Sequence, residues 1–281
     1  QVITINMKRS KIIIIITIAV ILLSFQYMLV RSYIDFVCHG NPYIIPRQPG
    51  DHPLLFCPKI VSTRDHGEYG IQFSADGREL YFTRTVNHQS LIMHSELTMY
   101  GWSQPRPMKF MDEYPGGAPC LSYDGRQLMY LLPGTSSQND EAQLLVAERQ
   151  CWGWDTPRML DEINLVRAKQ KASLSLARNG NLYFSGDLDG SGQQDIYISE
   201  FRNNQYMPSR NVGKEINSHF NEGHVFVAPD ESYLLFDSDR PGAAGCSDLY
   251  ISFRRDDGSW TTARNLGASI NSHHAEWMPY V

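Results

Sequence analysis

A unit of about fifty residues recurs four times along this chain, and it restricts the fold more tightly than any other feature. The segments GIQFSADGRELYFTR from Gly70, PCLSYDGRQLMYLLPG from Pro119, LSLARNGNLYFSG from Leu174 and VFVAPDESYLLFDSDR from Val225 share one plan. In each, a short apolar stretch meets a turn pair, then a stretch of alternating apolar residues. The pairs are Asp76-Gly77, Asp124-Gly125, Asn179-Gly180 and Asp230-Glu231, spaced 48, 55 and 51 residues apart. Asp-Gly and Asn-Gly tolerate the positive φ of tight hairpins, so each segment predicts two antiparallel strands.

A third strand is predicted after each hairpin, at SLIMHSEL from Ser90, AQLLVAER from Ala142, DIYISEF from Asp195 and DLYISFR from Asp248. A large aromatic then closes the unit: Trp102, Trp154, Tyr206 and Trp260, spaced 52, 52 and 54. One such residue per unit suits a stack of four-stranded sheets, where it fills the space between neighbours. The fold expected is therefore all-β, a β-propeller of four-stranded antiparallel blades. About 231 residues from Asp51 to Val281 at a period of about 51 give four and a half units, so five blades are expected, the last incomplete, with six the alternative. PLLFCPKIVSTRDHGE before the first hairpin matches RNLGASINSHHAE near the other end. Glu276–Val281 matches the inner strand at Glu222–Val227, and the sequence is expected to stop about half a period short.

Charge divides the chain. Residues 1–31 hold Lys8, Arg9, Lys11 and Arg31 and no acid. The remaining residues hold 21 basic against 30 acidic side chains, since 25 − 4 = 21, a formal charge of 21 − 30 = −9. A nucleic-acid binder needs a basic face to displace counterions, so nucleic acid is excluded as a partner. With 42% hydrophobic and 11% aromatic residues the chain can fill a core, which excludes a disordered one. The five cysteines form no C-x-x-C and no zinc spacing, and they are read as small buried residues rather than a disulfide framework.

The basic flank Lys8, Arg9, Lys11 precedes an apolar run from Ile12 to Leu23, the pattern of an export signal or a membrane anchor, with Met7 as the expected start. The nineteen residues Ile12–Val30 suffice for one apolar spanning helix, and no small-x-small cleavage site follows. A membrane anchor is favoured over secretion after cleavage, with the N-terminus cytoplasmic and the rest outside. The domains expected are thus 1–31 signal or anchor, 32–50 linker and 51–281 propeller.

The repeat resembles the TolB-like, WD-repeat-like β-propeller repeat of exported bacterial proteins. Its pattern, S-P-D-G-x-x-L-Y-F-x-S-x-R, a Gly-rich turn, D-I-Y and W-x-x-P-x-N-L-G-x-x-I-N-S, stands here as APDESYLLFDSDRPGAAGCSDLYISFRRDDGSW and RNLGASINS, from Ala228 to Ser272. The resemblance covers about Lys59 to Val281. Two departures stand out: LLPGTSSQND in the second repeat lacks the Arg, and Glu231 replaces the turn Gly. Residues 32–50 are too few for the additional α/β domain of the family's namesake, so the likeness extends to the repeat alone. It implies a periplasmic or surface-exposed propeller and implies no reaction.

Two clusters are candidate sites. Loops leading into the inner strands carry His66 and Glu68, then Asn217, His219, Glu222 and His224, then Asn271, His273, His274 and Glu276. Inner strands line the axis of a propeller, so these loops converge on one mouth and are the expected ligand-binding residues. In DLDGSGQQD, Asp187, Asp189 and Asp195 on a Gly-rich loop are candidate calcium ligands, although the EF-hand register lacks its closing acid. An ion pair between Arg240 and Asp248 across PGAAGCS is expected to be structural.

Enzyme signatures are few. G-x-S-x-G is absent, and RRDDGSW resembles the sialidase aspartate box only in part. The function expected is an exported cell-envelope propeller, a non-catalytic binding or protein-interaction module whose partner is an envelope protein or a glycan. The alternative is a carbohydrate-active hydrolase or lyase with acids at the channel mouth.

Overall fold

A computed structural model describes residues 55–133, 142–160, 173–188, 190–191 and 193–281. The expected anchor helix and linker lie outside the described residues. Among those described, no helix is long and apolar enough to cross a membrane. The chain separates into two units, one of Gln1–Cys57 with Met99–Gly101, the other of Pro58–Thr98 with Trp102–Val281. In the first, Cys57 is buried, whereas Leu55, Met99 and Tyr100 are exposed.

The second unit holds four antiparallel blades of four strands, each ordered from axis to rim. Blade 1 is β1 (Glu68–Phe73), β2 (Glu79–Val86), β3 (Gln89–Thr98) and β4 (Arg106–Pro107). Blade 2 is β5 (Gly117–Leu121), β6 (Gln127–Leu132), β7 (Gln143–Gln150) and β8 (Arg158–Met159). Blade 3 is β9 (Leu174–Leu176), β10 (Leu182–Gly186), β11 (Asp195–Ser199) and β12 (Arg210–Asn211). Blade 4 is β13 (Phe226–Val227), β14 (Tyr233–Ser238), β15 (Asp248–Phe253) and β16 (Arg264–Asn265). The propeller expected from the repeat is present. Four blades are described, and the stretches expected to belong to a fifth, the loop before β1 and Trp277–Val281, form no strand.

The turn pairs work as their chemistry dictates. Asp76 Oδ1 accepts the Ser74 hydroxyl at 2.6 Å and the Arg78 N–H at 3.1 Å, and Asp124 repeats this with Ser122 and Arg126. Gly77 and Gly125 follow at φ +68° and +69°. Glu231 holds the same conformation at φ +58° without glycine's freedom. Its carboxylate compensates by crossing to blade 3, accepting Asn179 Nδ2 at 2.9 Å, Asn181 Nδ2 at 3.0 Å and the Tyr183 hydroxyl at 2.7 Å.

Blade faces pack on blade faces. Buried clusters join blades 1 and 2 around Tyr81, Leu128 and Tyr130, blades 2 and 3 around Met129, Leu174 and Phe184, and blades 3 and 4 around Tyr183, Leu234 and Phe236. Of the closing aromatics, Trp102 and Trp260 are buried, while Trp154 and Tyr206 are half-buried. Trp154 meets Tyr81 of the preceding blade edge-on at 6.1 Å, and Trp260 meets Tyr183 likewise at 6.3 Å. Inner strands are laced by hydroxyls: Thr83 accepts the Ala118 N–H at 2.9 Å, Ser173 that of Val225 at 2.8 Å and Ser175 that of Val227 at 2.9 Å.

The four described cysteines divide in burial. Cys57 and Cys120 are buried as expected. Cys151 and Cys246 are exposed instead, because they sit in turns, one after β7 and one before β15. Cys38 lies outside the described residues.

Candidate binding site at the axial mouth

The motif N-L-G-x-x-I-N-S is a backbone clamp. Asn217 Oδ1 accepts the Ile196 N–H and its Nδ2 donates to the Ile196 carbonyl, both at 2.9 Å, so one side chain satisfies both backbone polar groups of a β11 residue. Asn271 does the same for Leu249 of β15, at 2.8 and 3.0 Å. Asn211 caps the turn by accepting the Gly213 N–H and Asn217 Nδ2, and donates to Asp195 at 2.7 Å. Asn265 likewise serves Gly267, Asn271 and Asp248. The two asparagines expected at the mouth are therefore engaged in holding blades 3 and 4 to their own exit loops.

The mouth glutamates are engaged too. Glu222, fully buried, accepts the Ser218 N–H at 2.8 Å and hydroxyl at 2.6 Å, the Ser238 hydroxyl at 3.0 Å and Arg240 at 2.7 Å. Arg240 also reaches the Ile216 carbonyl at 2.6 Å and lies over the Phe236 and Tyr250 rings. Glu68 repeats the arrangement with Thr63 and with Arg84, which donates to the Ile60 and Val61 carbonyls. Glu276 accepts the Ser272 hydroxyl at 2.5 Å. The contact expected between Arg240 and Asp248 is replaced by this Glu222 pair. Burial pushes the Asp248 carboxyl up, but Asn265 Nδ2 and the N–H groups of Ala244 and Gly245 outweigh it and hold it below its usual range.

His224 stands apart. It is buried, and its Nδ1 lies 2.8 Å from Asp237 Oδ1, while Ser247 donates to Asp237 Oδ2 at 3.3 Å. Gly223 makes room for this pair, since a Cβ there would lie 2.4 Å from Asp237 Oδ2. His224 lines an axial cavity of about 30 Å³ together with Gly70–Gln72 of β1, Ser173 and Met278–Tyr280. That is room for about two waters at most. Trp277, well exposed, has its ring 6.4 Å from that of His224. His66, His219, His273 and His274 are exposed, the last two with rings 3.9 Å apart.

Sequence reasoning placed His224 at the mouth and missed its partners Asp237 and Ser247. Asp237 reads as one more polar residue in FDSDR, and only the β14–β15 pairing brings Ser247 beside it. Of the candidate calcium ligands, Asp187 is buried at the end of β10, Asp195 is tied to Asn211, and Asp189 lies outside the described residues.

A further cluster went unread. Glu79, His94 and Glu96 bring ligand-type atoms within 4.8 Å of one another. Arg149 of blade 2 occupies the Glu79 carboxylate through both oxygens, at 2.6 and 2.7 Å, and also donates to the Tyr81 hydroxyl at 2.8 Å. His94, with Nε2 3.3 Å from Glu79 Oε1, and then Arg149 hold the Glu79 carboxyl down at about 2 against its burial. The cluster joins blades 1 and 2.

No family model matches the chain, and no curated protein matches it. Solved structures do. TolB from Acinetobacter baumannii aligns at 14% identity with a TM-score of 0.50, over 72% of this chain and 44% of that one. A putative TolB from Agrobacterium tumefaciens aligns at 16% identity with a TM-score of 0.52, over 78% of this chain and 68% of that one. The chain thus spans under half the length of the first. These likenesses show the fold, a β-propeller like that of the two TolB structures.

Proposed function

We propose that this chain is an exported cell-envelope propeller acting as a non-catalytic binding module, with an envelope protein or a glycan as its ligand at the axial mouth. One observation carries the reading: the mouth acids Glu68 and Glu222 are held by Arg84 and Arg240 of the same blades, whereas His224, backed by Asp237, is a buried polar side chain lining the axial cavity beside Ser173. The reading requires no cofactor. Export rests on the basic and apolar residues Lys8–Leu23, and the favoured form is membrane-anchored.

A second reading, a carbohydrate-active lyase, draws on the same pair, because a histidine oriented by a carboxylate can serve as a base. Binding of envelope glycans and peptidoglycan fragments, measured calorimetrically for the wild type and His224→Gln, separates the two. Saturable binding without turnover, weakened at least tenfold in the variant, supports the binding module. Turnover of a glycan that the variant abolishes would establish the lyase, and absence of both would sink each reading. Fractionation of the intact chain in a bacterial host tests the anchor, whose loss to a shortened soluble form would show cleavage.

A further inference from the structure

Two neighbouring residues at the axis carry hydrogen-bonding capacity that the fold does not use. Ser173 is pinned to β10, its N–H donating to Ser185 Oγ at 3.2 Å and its carbonyl accepting the Ser185 N–H at 3.3 Å. Its Oγ accepts the Val225 N–H at 2.8 Å, which ties it to the residue after His224, and its own hydroxyl proton has no acceptor among the described residues. His224 is placed alike: Nδ1 faces Asp237 Oδ1 at 2.8 Å, and Nε2 has no partner among the described residues. A ring nitrogen held against a carboxylate carries the proton, so Nε2 is an acceptor. The two residues are only 7% and 8% exposed, and both line the axial cavity. Buried polar groups are ordinarily paired, so a cavity that presents one open donor and one open acceptor is matched to a group that supplies both.

We propose that the axial cavity is the subsite for one primary hydroxyl group of a neutral, hexose-containing glycan, which donates to His224 Nε2 and accepts from Ser173 Oγ. The proposal rests on the axial-mouth reading and names the ligand there. A hydroxyl is donor and acceptor at a single atom, and it reproduces the hydrogen bonds of a water that it displaces. A carboxylate offers no proton to the imidazole, and an ammonium offers no lone pair to Ser173. A volume of about 30 Å³ admits the two heavy atoms of a hydroxymethyl group and keeps the sugar ring at the entrance. Ile71, Leu174 and Val225 line the same cavity and give its methylene apolar walls. A glycan is favoured over a serine-bearing polypeptide because the exposed Trp277 ring, 6.4 Å from that of His224, offers a flat apolar face to the C–H side of a sugar ring. The excess of acidic over basic side chains after residue 31 further disfavours an acidic glycan.

The test uses the whole chain. It is titrated with the methyl glycosides of glucose, galactose and mannose, with the 6-deoxy counterpart of each, with methyl glucuronide and with the blocked tripeptide Gly-Ser-Gly. Affinities are read by calorimetry and by the shifts of the His224 ring nitrogens in long-range nitrogen–proton spectra. At least one neutral glycoside is expected to bind and to move Nε2, while its 6-deoxy counterpart and the glucuronide bind about tenfold more weakly or worse, because each leaves a buried group unpaired. Ser173→Ala is expected to bind that glycoside about fivefold more weakly and the 6-deoxy sugar as the wild type does. The deoxy comparison needs no variant, so it decides even where Ser173→Ala does not fold. Equal binding of a glycoside and its 6-deoxy counterpart would overturn the hydroxyl subsite and leave the axial-mouth reading standing. A response of Nε2 to the tripeptide and to no glycoside would overturn the glycan, as would the absence of binding by every probe. The axial-mouth reading falls only where envelope glycans and peptidoglycan fragments fail as well, so the two failures are distinct.

Discussion

The carboxylate of Glu231 accepts the hydroxyl proton of Tyr183 at 2.7 Å, across the junction of blades 3 and 4. Blades 1 and 2 solve the same problem from the opposite side, with Glu79 on blade 1 and Arg149 on blade 2 meeting at Tyr81. In both junctions an arginine stacks on the closing tryptophan, Arg149 over Trp154 at 4.8 Å and Arg254 over Trp260 at 5.0 Å. The replacement of the turn Gly by Glu231 is thus an exchange of backbone ease for a junction contact.

That exchange separates two substitutions. Glu231→Ala keeps the left-handed backbone and loses the three junction hydrogen bonds that its carboxylate accepts, so it is expected to cost about 2 kcal/mol. Glu231→Gly loses the same bonds but relaxes φ, and is expected to cost about 1 kcal/mol less. Urea unfolding of the two variants measures the difference. An alanine variant no less stable than the glycine variant would refute the account.

Glu79 carries a pH dependence whose sign is fixed. Its folded pKa, about 2, lies below the ordinary value of 4.5, so its contribution is fully present above pH 4.5 and is lost as pH falls toward 2. The size is at most about 3.5 kcal/mol, since each unit of difference is worth about 1.4 kcal/mol. In Glu79→Gln the slope of stability against pH between 2 and 4.5 is expected to flatten. An unchanged slope, read by acid titration of the fold, would show that Arg149 and His94 do not act on this carboxyl as described.

The blade plan was legible in the sequence because turn chemistry is local: Asp76, Asp124 and Asp230 act on residues two positions away, and such contacts survive in a string of letters. The repeats also showed that Asn217 and Asn271 do the same work. They did not show what that work was, since the Ile196 and Leu249 peptides they clamp lie some twenty residues upstream. Glu222 had the look of a ligand for the same reason. Its partners Ser218, Ser238 and Arg240 gather only when the loop folds over the end of β14. His224 was singled out in the sequence and Asp237 was not, because a pairing thirteen residues apart depends on the close approach at Gly223.

Glu222 offers a cleaner test of burial than any surface pair. Removing its charge in Glu222→Gln leaves Arg240, itself partly buried, without its anion, and is expected to cost up to about 3 kcal/mol, the lower end for a fully buried pair. The double substitution Glu222→Gln with Arg240→Met removes both charges and is expected to recover part of that loss. A double-mutant cycle by chemical denaturation gives the coupling directly. Strict additivity of the two single effects would mean that the pair does not interact.

Gly223→Ala probes the pair at the axis without touching either member. Its Cβ would stand 2.4 Å from Asp237 Oδ2, so the carboxylate must shift, and Gly223 itself donates to the Asp237 carbonyl at 2.7 Å, which restricts how far the backbone can yield. Two consequences are expected. Stability falls by about 1 to 3 kcal/mol, the usual cost of overpacking a well-filled site. His224 also loses the acceptor that fixes its tautomer, since a ring nitrogen facing a carboxylate carries the proton and leaves the other nitrogen as an acceptor toward the cavity. Long-range nitrogen–proton spectra of the imidazole read this directly: one tautomer in the wild type, a mixture in Gly223→Ala, and a mixture again in Asp237→Asn. A single unchanged tautomer in both variants would show that Asp237 does not orient His224, and the axial histidine would then be a packed side chain with no directed face.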